Sequence, residues 1–282
     1  MTSSSVRVGF VGLGDQGGPM ARRVIDAGLS TTLWARRPES LEPFLGTTAA
    51  MAGSRRVLGA SSDVVATCVF DADGTREILF GADGILAGMS PGGIVAVHST
   101  VAPEEIVDIA RGAGEFGITV VDAPVSGGGA RAAEGKLVVM AGGDPSAYER
   151  CLPMFAAYAD QIFQVGDVGA GQRAKLINNA LMTAQLGLVA DAFEFGRELG
   201  LDLEGLTKVL RQGSGRSYAL EVIVRSGSFE ALARSQAGRT LGKDVRLLSV
   251  TTAGQVGEAQ RPLLAAAATA VGMMESRSTE RS

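Results

Sequence analysis

Lys175 and Asn179 stand four residues apart in the stretch Gly169-Ala170-Gly171-Gln172-Arg173-Ala174-Lys175-Leu176-Ile177-Asn178-Asn179, a spacing that places both on one face of a helix. The same helix carries Leu176, Ala180 and Met182 nearby, and an ammonium held among such residues is unfavourable unless it has a partner or a task. A positioned lysine stabilises and protonates a developing alkoxide; when neutral, with its pKa lowered by burial or a nearby charge, it accepts a hydroxyl proton. An asparagine one turn along can donate to a substrate without titrating. Taken alone, Lys and Asn on a helix usually form a solvated face. The residues that precede them argue for chemistry.

Gly12-Leu13-Gly14-Asp15-Gln16-Gly17 follows an apolar run at 6–11 and precedes Met20, Ala21, Val24 and Ile25 at helical spacing, closed by Gly28. Glycines between a strand and a helix let backbone approach a pyrophosphate, and the helix N-terminus favours its charge. The next strand, 31–35, ends at Arg36-Arg37, where an NAD site places Asp or Glu. Two guanidiniums suit a 2′-phosphate and neither accepts from a 2′-hydroxyl, so the pair favours NADP over NAD. A strand at 64–70 runs into the turn Asp71-Ala72-Asp73-Gly74, and one at 94–97 runs into His98-Ser99-Thr100 before a helix opened by Pro103. Those hydroxyls serve either the nicotinamide and substrate or the helix cap, and His98 reads as structural. After a strand at 118–121 comes Asp122-Ala123-Pro124-Val125-Ser126-Gly127-Gly128-Gly129, either a clasp of backbone N–H groups for a carboxylate or slack chain. Segments 137–141 and 162–165 read as edge strands, with Gly142-Gly143-Asp144-Pro145 breaking structure between them.

The elements that must position these groups divide the chain in two. Alternating strands and helices to about residue 166 predict an α/β, Rossmann-type doubly wound sheet, so 1–166 reads as a cofactor-binding domain. From 167 to 282 helical periodicity takes over, predicting an all-α domain for substrate and oligomer contacts. Its helices are expected at 172–199, 203–210, 218–224, 241–252 and 262–274, with Lys243-Asp244 at the start of the fourth and 275–282 a frayed tail. The first of these is long and free of proline, as helices shared with a partner subunit often are.

Composition narrows the chemistry. With 282 residues, 46% apolar, 20% charged and a net charge of −4, nothing marks a nucleic-acid or membrane partner. Residues 1–5 lack the pattern of a signal peptide, and no run reaches the roughly 18 apolar residues of a membrane helix; a cytoplasmic protein is expected. Cys68 and Cys151 form no disulfide framework, Cys68 reading as a small buried hydrophobe. A single histidine excludes a His-rich metal site, so no metal is expected.

Three signals in one order carry a resemblance: Gly12-Leu13-Gly14 with its helix, Asp122-Ala123-Pro124-Val125-Ser126-Gly127-Gly128, and Gly169-x-Gly171 through Lys175 to Asn179. The chain resembles the β-hydroxyacid dehydrogenases, among them 3-hydroxyisobutyrate dehydrogenase and the tartronate and glyoxylate/succinic semialdehyde reductases, over nearly its whole length. The resemblance implies a dinucleotide-binding domain followed by a helical domain, an active site in the cleft between them, and a homo-oligomer, dimer or tetramer, built through the long helix. It implies Lys175 as the catalytic lysine, Asn179 as substrate-orienting, and Ser126, Gly127 and Gly128 as the loop that holds the carboxylate of a small substrate. It places Gly12, Leu13, Gly14, Asp15, Gln16, Gly17, Arg36, Arg37, Phe70, Asp71, Thr100 and Lys243 at the cofactor. Phe70-Asp71 replaces a usual Leu-Pro, Gln16 a usual Met and His98 a common Asp, which alters the expected charge near the cofactor. Gln236 falls roughly where many members carry an aromatic near the substrate. Two other readings remain: an NADPH-dependent imine reductase, a class that usually lacks the lysine, and a non-catalytic NADP-binding sensor.

Overall fold

A computed structural model describes residues 6–253 and 261–279. The polar start at 1–5 and the end of the expected tail at 280–282 lie outside the described residues. The chain forms two compact units, the first ending at Lys175 and the second beginning at Leu176.

In the first unit the strands are β1 (Val8–Val11), β2 (Thr31–Trp34), β3 (Ala50–Met51), β4 (Val64–Thr67), β5 (Ile94–Val97), β6 (Thr119–Asp122), β7 (Val125–Ser126), β8 (Leu137–Gly142) and β9 (Ala159–Gly166). Helices α1 (Gly17–Asp26), α2 (Arg55–Ala60), α3 (Ala72–Leu79), α4 (Ile85–Gly88), α5 (Pro103–Gly114), α6 (Gly128–Ala133) and α7 (Pro145–Tyr158) connect them. The sheet order is β3-β2-β1-β4-β5-β6-β8-β7, with β9 against β8. The first six strands are parallel, which is the doubly wound arrangement predicted. Alternation along each strand divides its side chains between two cores. Phe10, Val64, Ala66 and Ile94 face α1 and α7 through Met20, Val24, Met154 and Phe155. Val11, Val65, Val95 and Val97 face α2, α4 and α5 through Leu58, Leu86, Ile106 and Ile109.

The register decides where the loops emerge. Val11 pairs with Trp34 and Thr67, Thr67 with Val97, and Val97 with Asp122. The carboxyl ends of five strands are therefore level, and the Gly12, Arg36, Cys68, His98 and Ala123 loops leave one edge of the sheet, where ligands of such sheets bind.

Two sequence expectations are corrected here. The strand expected at 64–70 stops at Thr67 because the Val69 N–H donates to the Ser99 hydroxyl (3.2 Å) rather than to a strand. β8 is not an edge strand, because it pairs with β6 and β7 antiparallel and with β9 in parallel. The connection that makes this possible is α7, whose N-terminus is capped by the Asp144 carboxylate at the Ser146 and Ala147 N–H groups.

The second unit has helices and no strand among its described residues. α8 (Ala170–Glu198) begins in the first unit and continues here, followed by α9 (Leu203–Gln212), α10 (Tyr218–Ser226), α11 (Phe229–Arg234), α12 (Gln236–Thr252) and α13 (Pro262–Thr279). Gly187 lets α13 approach α8, since a Cβ there would press on Ala270 at 2.6 Å. α12 starts five residues earlier than expected, capped by Ser235 Oγ at the Gly238 N–H (3.2 Å), so Lys243-Asp244 lies in its middle. Gly238 and Gly242 lower the helical signal of that first stretch, yet Gly238 is needed where the Leu232 and Ala233 carbonyls crowd it. The frayed tail is corrected as well: α13 runs to Thr279, with Glu275 paired to Arg246 (2.9 Å) and Arg277 paired to Glu194 and Glu230 over the Phe229 ring. Arg246, Glu194 and Glu230 are distant in sequence, so periodicity within the tail could not announce them.

Candidate active site

The glycine-rich loop is shaped by three different demands. Gly12 has φ +92° and packs so closely on the Cys68 carbonyl that a Cβ would collide with it. Gly17, the first residue of α1, lies against the Gly12 carbonyl with equal closeness. Gly14, between them, has nothing within 4 Å of where its Cβ would stand. The loop thus presents backbone to open space directly before a helix N-terminus, and the residues present fit a dinucleotide pyrophosphate.

The Ser126-Gly127-Gly128 loop lies beside it. Gly127 and Gly128 have φ +134° and +72°, values that a side chain disfavours. Gly129 packs on the Asp15 carbonyl, and nothing stands within 4 Å of the Cβ position of Gly128. The fold therefore brings the two glycine loops together, each with one open glycine.

A buried frame anchors the start of α8. Asp122, fully buried at the end of β6, accepts the Gly169 N–H on Oδ1 (2.7 Å) and the Gln172 N–H on Oδ2 (2.8 Å). Gly142 and Gly171 leave the room its carboxylate occupies. Burial pushes the Asp122 carboxyl up to about 6, against the opposing effect of those two N–H donors. The Gln172 side chain closes the frame: its Nε2 donates to the Ser99 carbonyl (2.9 Å) and its Oε1 accepts the Val101 N–H (3.1 Å). Asp122 and Gln172 thereby fix the helix turn that precedes Lys175, which is itself 9% exposed. Local spacing assigns neither residue this task; the one signal in the sequence is Asp122, a carboxylate directly after the apolar pair Val120-Val121.

His98 is buried with Nδ1 2.6 Å from the Ala123 carbonyl and Nε2 3.0 Å from the Tyr158 hydroxyl. A carbonyl only accepts, so Nδ1 carries the proton and Nε2 accepts from Tyr158. Burial holds its pKa down to about 4, so the imidazole is neutral at neutral pH and brings no charge to the cofactor loops. Ser99 serves the β4 loop through Val69 rather than capping α5, where the Glu105 carboxylate takes the Ala102 N–H (3.0 Å).

At the tip of β2, Arg36 and Arg37 are both exposed. Arg36 Nη2 meets Glu77 Oε2 at 2.8 Å. Asp71 caps α3 through the Gly74 N–H (2.8 Å), a structural duty that the cofactor expectation did not include, and Phe70 is exposed. Leu13 packs partly against the first core, and Gln16 stands at the N-cap position of α1 without a side-chain cap bond. Thr100 lies half-buried in the loop after β5.

In the second unit Asn179 is buried, its Nδ2 donating to the fully buried Asp244 (2.6 Å) and its Oδ1 accepting from Asn178 (3.0 Å). Lys243 Nζ lies 3.6 Å from the other oxygen of Asp244. Asp244 is thus the residue that orients Asn179, a role not assigned from sequence. Gln236, exposed in the first turn of α12, accepts from Arg239 (2.8 Å). Among the described residues no group of three His, Cys, Asp or Glu could hold a metal ion, and no helix is long and apolar enough to cross a membrane.

Comparison with known proteins identifies the family of the chain. Residues 7–166 match the family model for the NAD binding domain of 6-phosphogluconate dehydrogenase, and residues 169–282 that for the NAD-binding region of NADP-dependent 3-hydroxyisobutyrate dehydrogenase. The NAD-dependent L-serine dehydrogenase of Pseudomonas aeruginosa is 36% identical over 216 residues, 77% of this chain and 72% of that one. The crystal structure of 3-hydroxyisobutyrate dehydrogenase from Salmonella typhimurium shares 30% identity with a TM-score of 0.83, covering 96% of this chain and 94% of that one. A structure of Psf3 in complex with NADP+ and 2-OPP shares 25% identity with a TM-score of 0.82, covering 95% and 93%.

Proposed function

The chain belongs to the β-hydroxyacid dehydrogenases, oxidoreductases with NAD(P)-binding domains, and from this premise we propose that it transfers hydride between NADP(H) and a small 3-hydroxy acid or its semialdehyde. The observation that carries the reading is the meeting of the two open glycine loops, the second of which follows β6, the strand whose terminal Asp122 locks, with Gln172, the turn leading to the buried Lys175.

When bound, the nicotinamide supplies or accepts hydride. Lys175 Nζ gives a proton to the oxygen of the reduced carbonyl, or takes it from the hydroxyl in oxidation. The backbone N–H groups after Ser126 hold the substrate carboxylate. Asn179, aimed by Asp244, orients the substrate without changing charge. Gly12 to Gly17 cradle the pyrophosphate, Phe70, Asp71, Thr100 and Lys243 complete the cofactor contacts, and Arg36 with Arg37 takes the 2′-phosphate, which is the ground for NADP over NAD. Residues 1–166 act as the cofactor domain and 167–282 as the substrate and oligomer domain. A homo-oligomer, dimer or tetramer, is supported by Ile177, Leu181, Leu188 and Phe195, exposed apolar residues four and seven apart that share one face of α8. A cytoplasmic setting accords with Cys68 and Cys151 being free thiols.

The test is oxidation of NADPH, with NADH in parallel, against glyoxylate, succinic, methylmalonate and tartronate semialdehydes and one cyclic imine. Turnover of a semialdehyde supports the reading and names the carboxylate length accepted. Turnover of the imine alone makes the protein an imine reductase, and tight NADPH binding without turnover of any of them points to a sensor.

A further inference from the structure

The tip of β2 holds a second charge that the arginine pair does not reveal. Glu77, on α3, brings its carboxylate to Arg36, with Oε2 2.8 Å from Nη2. Arg55, the first residue of α2, donates to the Glu77 backbone carbonyl (2.8 Å) and lies 3.7 Å from Glu77 Oε1 and 3.7 Å from Asp83. Its guanidinium also stands over the Trp34 ring at 5.7 Å. The arrangement is asymmetric. Arg36 and Glu77 are 65% and 56% exposed, whereas the Arg55 side chain is 20% exposed and held on three sides.

A carboxylate and a ribose 2′-phosphate are both anions that a guanidinium grips through paired hydrogen bonds, so they compete for one arginine. An exposed ion pair is weak and easily exchanged. Glu77 does not lose its only cation when Arg36 leaves, because Arg55 stays beside its other oxygen. We propose that Glu77 is a specificity-determining residue that holds Arg36 when the nucleotide lacks a 2′-phosphate and yields it when one is present, so that Glu77 sets how strongly NADPH is preferred to NADH. The inference rests on the assignment of Arg36 to phosphate recognition.

The experiment measures binding of 2′,5′-ADP and 5′-AMP by calorimetry to the wild type, Glu77→Gln, Arg36→Ala and the double variant, with thermal unfolding of each as a check on folding. Glu77→Gln is expected to tighten 2′,5′-ADP roughly two- to fivefold, the range set by a surface ion pair, with 5′-AMP unchanged, and the KM for NADPH should fall in step. In the Arg36→Ala background the same substitution should bring no gain. Unchanged 2′,5′-ADP affinity in Glu77→Gln, equal gains for both nucleotides, or a gain that persists without Arg36 would overturn the proposal. If the wild type itself binds both nucleotides alike, the assignment of the arginines to a phosphate fails first, and the role of Glu77 with it.

Discussion

Two ends of the sheet's carboxyl edge are built on opposite principles. Near the start of α8, Asp122 and Gln172 are buried, each polar atom meets a backbone group, and glycines at 142 and 171 admit backbone that any side chain would exclude. At the tip of β2 the side chains are long and charged, Arg36 and Glu77 are exposed and meet through their ends, and Arg55 lies beside the other Glu77 oxygen. On the proposed function the first end serves proton transfer by Lys175, which needs a closely fixed donor and so favours short, buried supports. On the same proposal the second end recognises a phosphate by charge, a task that exposed side chains in water can perform. Substitutions should therefore separate cleanly: those at the first end change turnover or stability, and those at the second change cofactor choice.

The largest effect is expected at Lys175. Lys175→Ala should lower kcat roughly 100- to 10,000-fold, the worth of a positioned general acid or base, while NADPH titrated by fluorescence still binds. Near-native turnover would remove the lysine from the chemistry and leave its burial without a catalytic reason.

Next comes the frame. Asp122→Ala strands the Gly169 and Gln172 N–H donors and should reduce unfolding free energy by about 2–4 kcal/mol in urea titration. Any surviving folded protein should keep the wild-type ratio of NADPH to NADH affinity. A loss of that ratio would mean that the two ends are coupled after all.

The pH dependence of stability sharpens the same contrast within the buried frame. His98, with its pKa depressed to about 4 from 6.5, contributes stability that is present above pH 6.5 and lost as pH falls through 4, about 3 kcal/mol in all. Asp122 has the opposite sign. Its pKa, raised to about 6 from 3.8, gives stability that is present below 3.8 and lost as pH rises through 6, also about 3 kcal/mol. The two nearly cancel in between, so His98→Gln should show a stability that climbs from pH 7 to 4.5 relative to the wild-type slope. A parallel slope would mean that His98 is not held neutral.

The smallest effect in free energy is the most selective. Arg36→Ala with Arg37→Ala should weaken NADPH roughly tenfold, about 1.4 kcal/mol, with NADH little changed and the unfolding midpoint unmoved. Equal weakening of both nucleotides would deny these arginines a phosphate.

The residues that announce themselves in the sequence are those whose demands are local. Gly12, Gly14 and Gly17 sit between a strand and a helix a few residues apart, Arg36 follows its strand directly, and Lys175 and Asn179 share a helix face by spacing alone. Strand and helix periods likewise suffice for the α/β unit and the helical unit, because burial on one or two faces is written every second or fourth residue. Tertiary structure decided what those residues lean on. Asp122 meets Gly169 across 47 residues, Ser99 meets Gln172 across 73 and Asn179 meets Asp244 across 65. It also made β8 an interior strand and carried α13 past Met274 through ion pairs to Glu194 and Glu230. Period and propensity act over one or two turns of chain, whereas a buried hydrogen bond depends on which segments the packed core sets side by side.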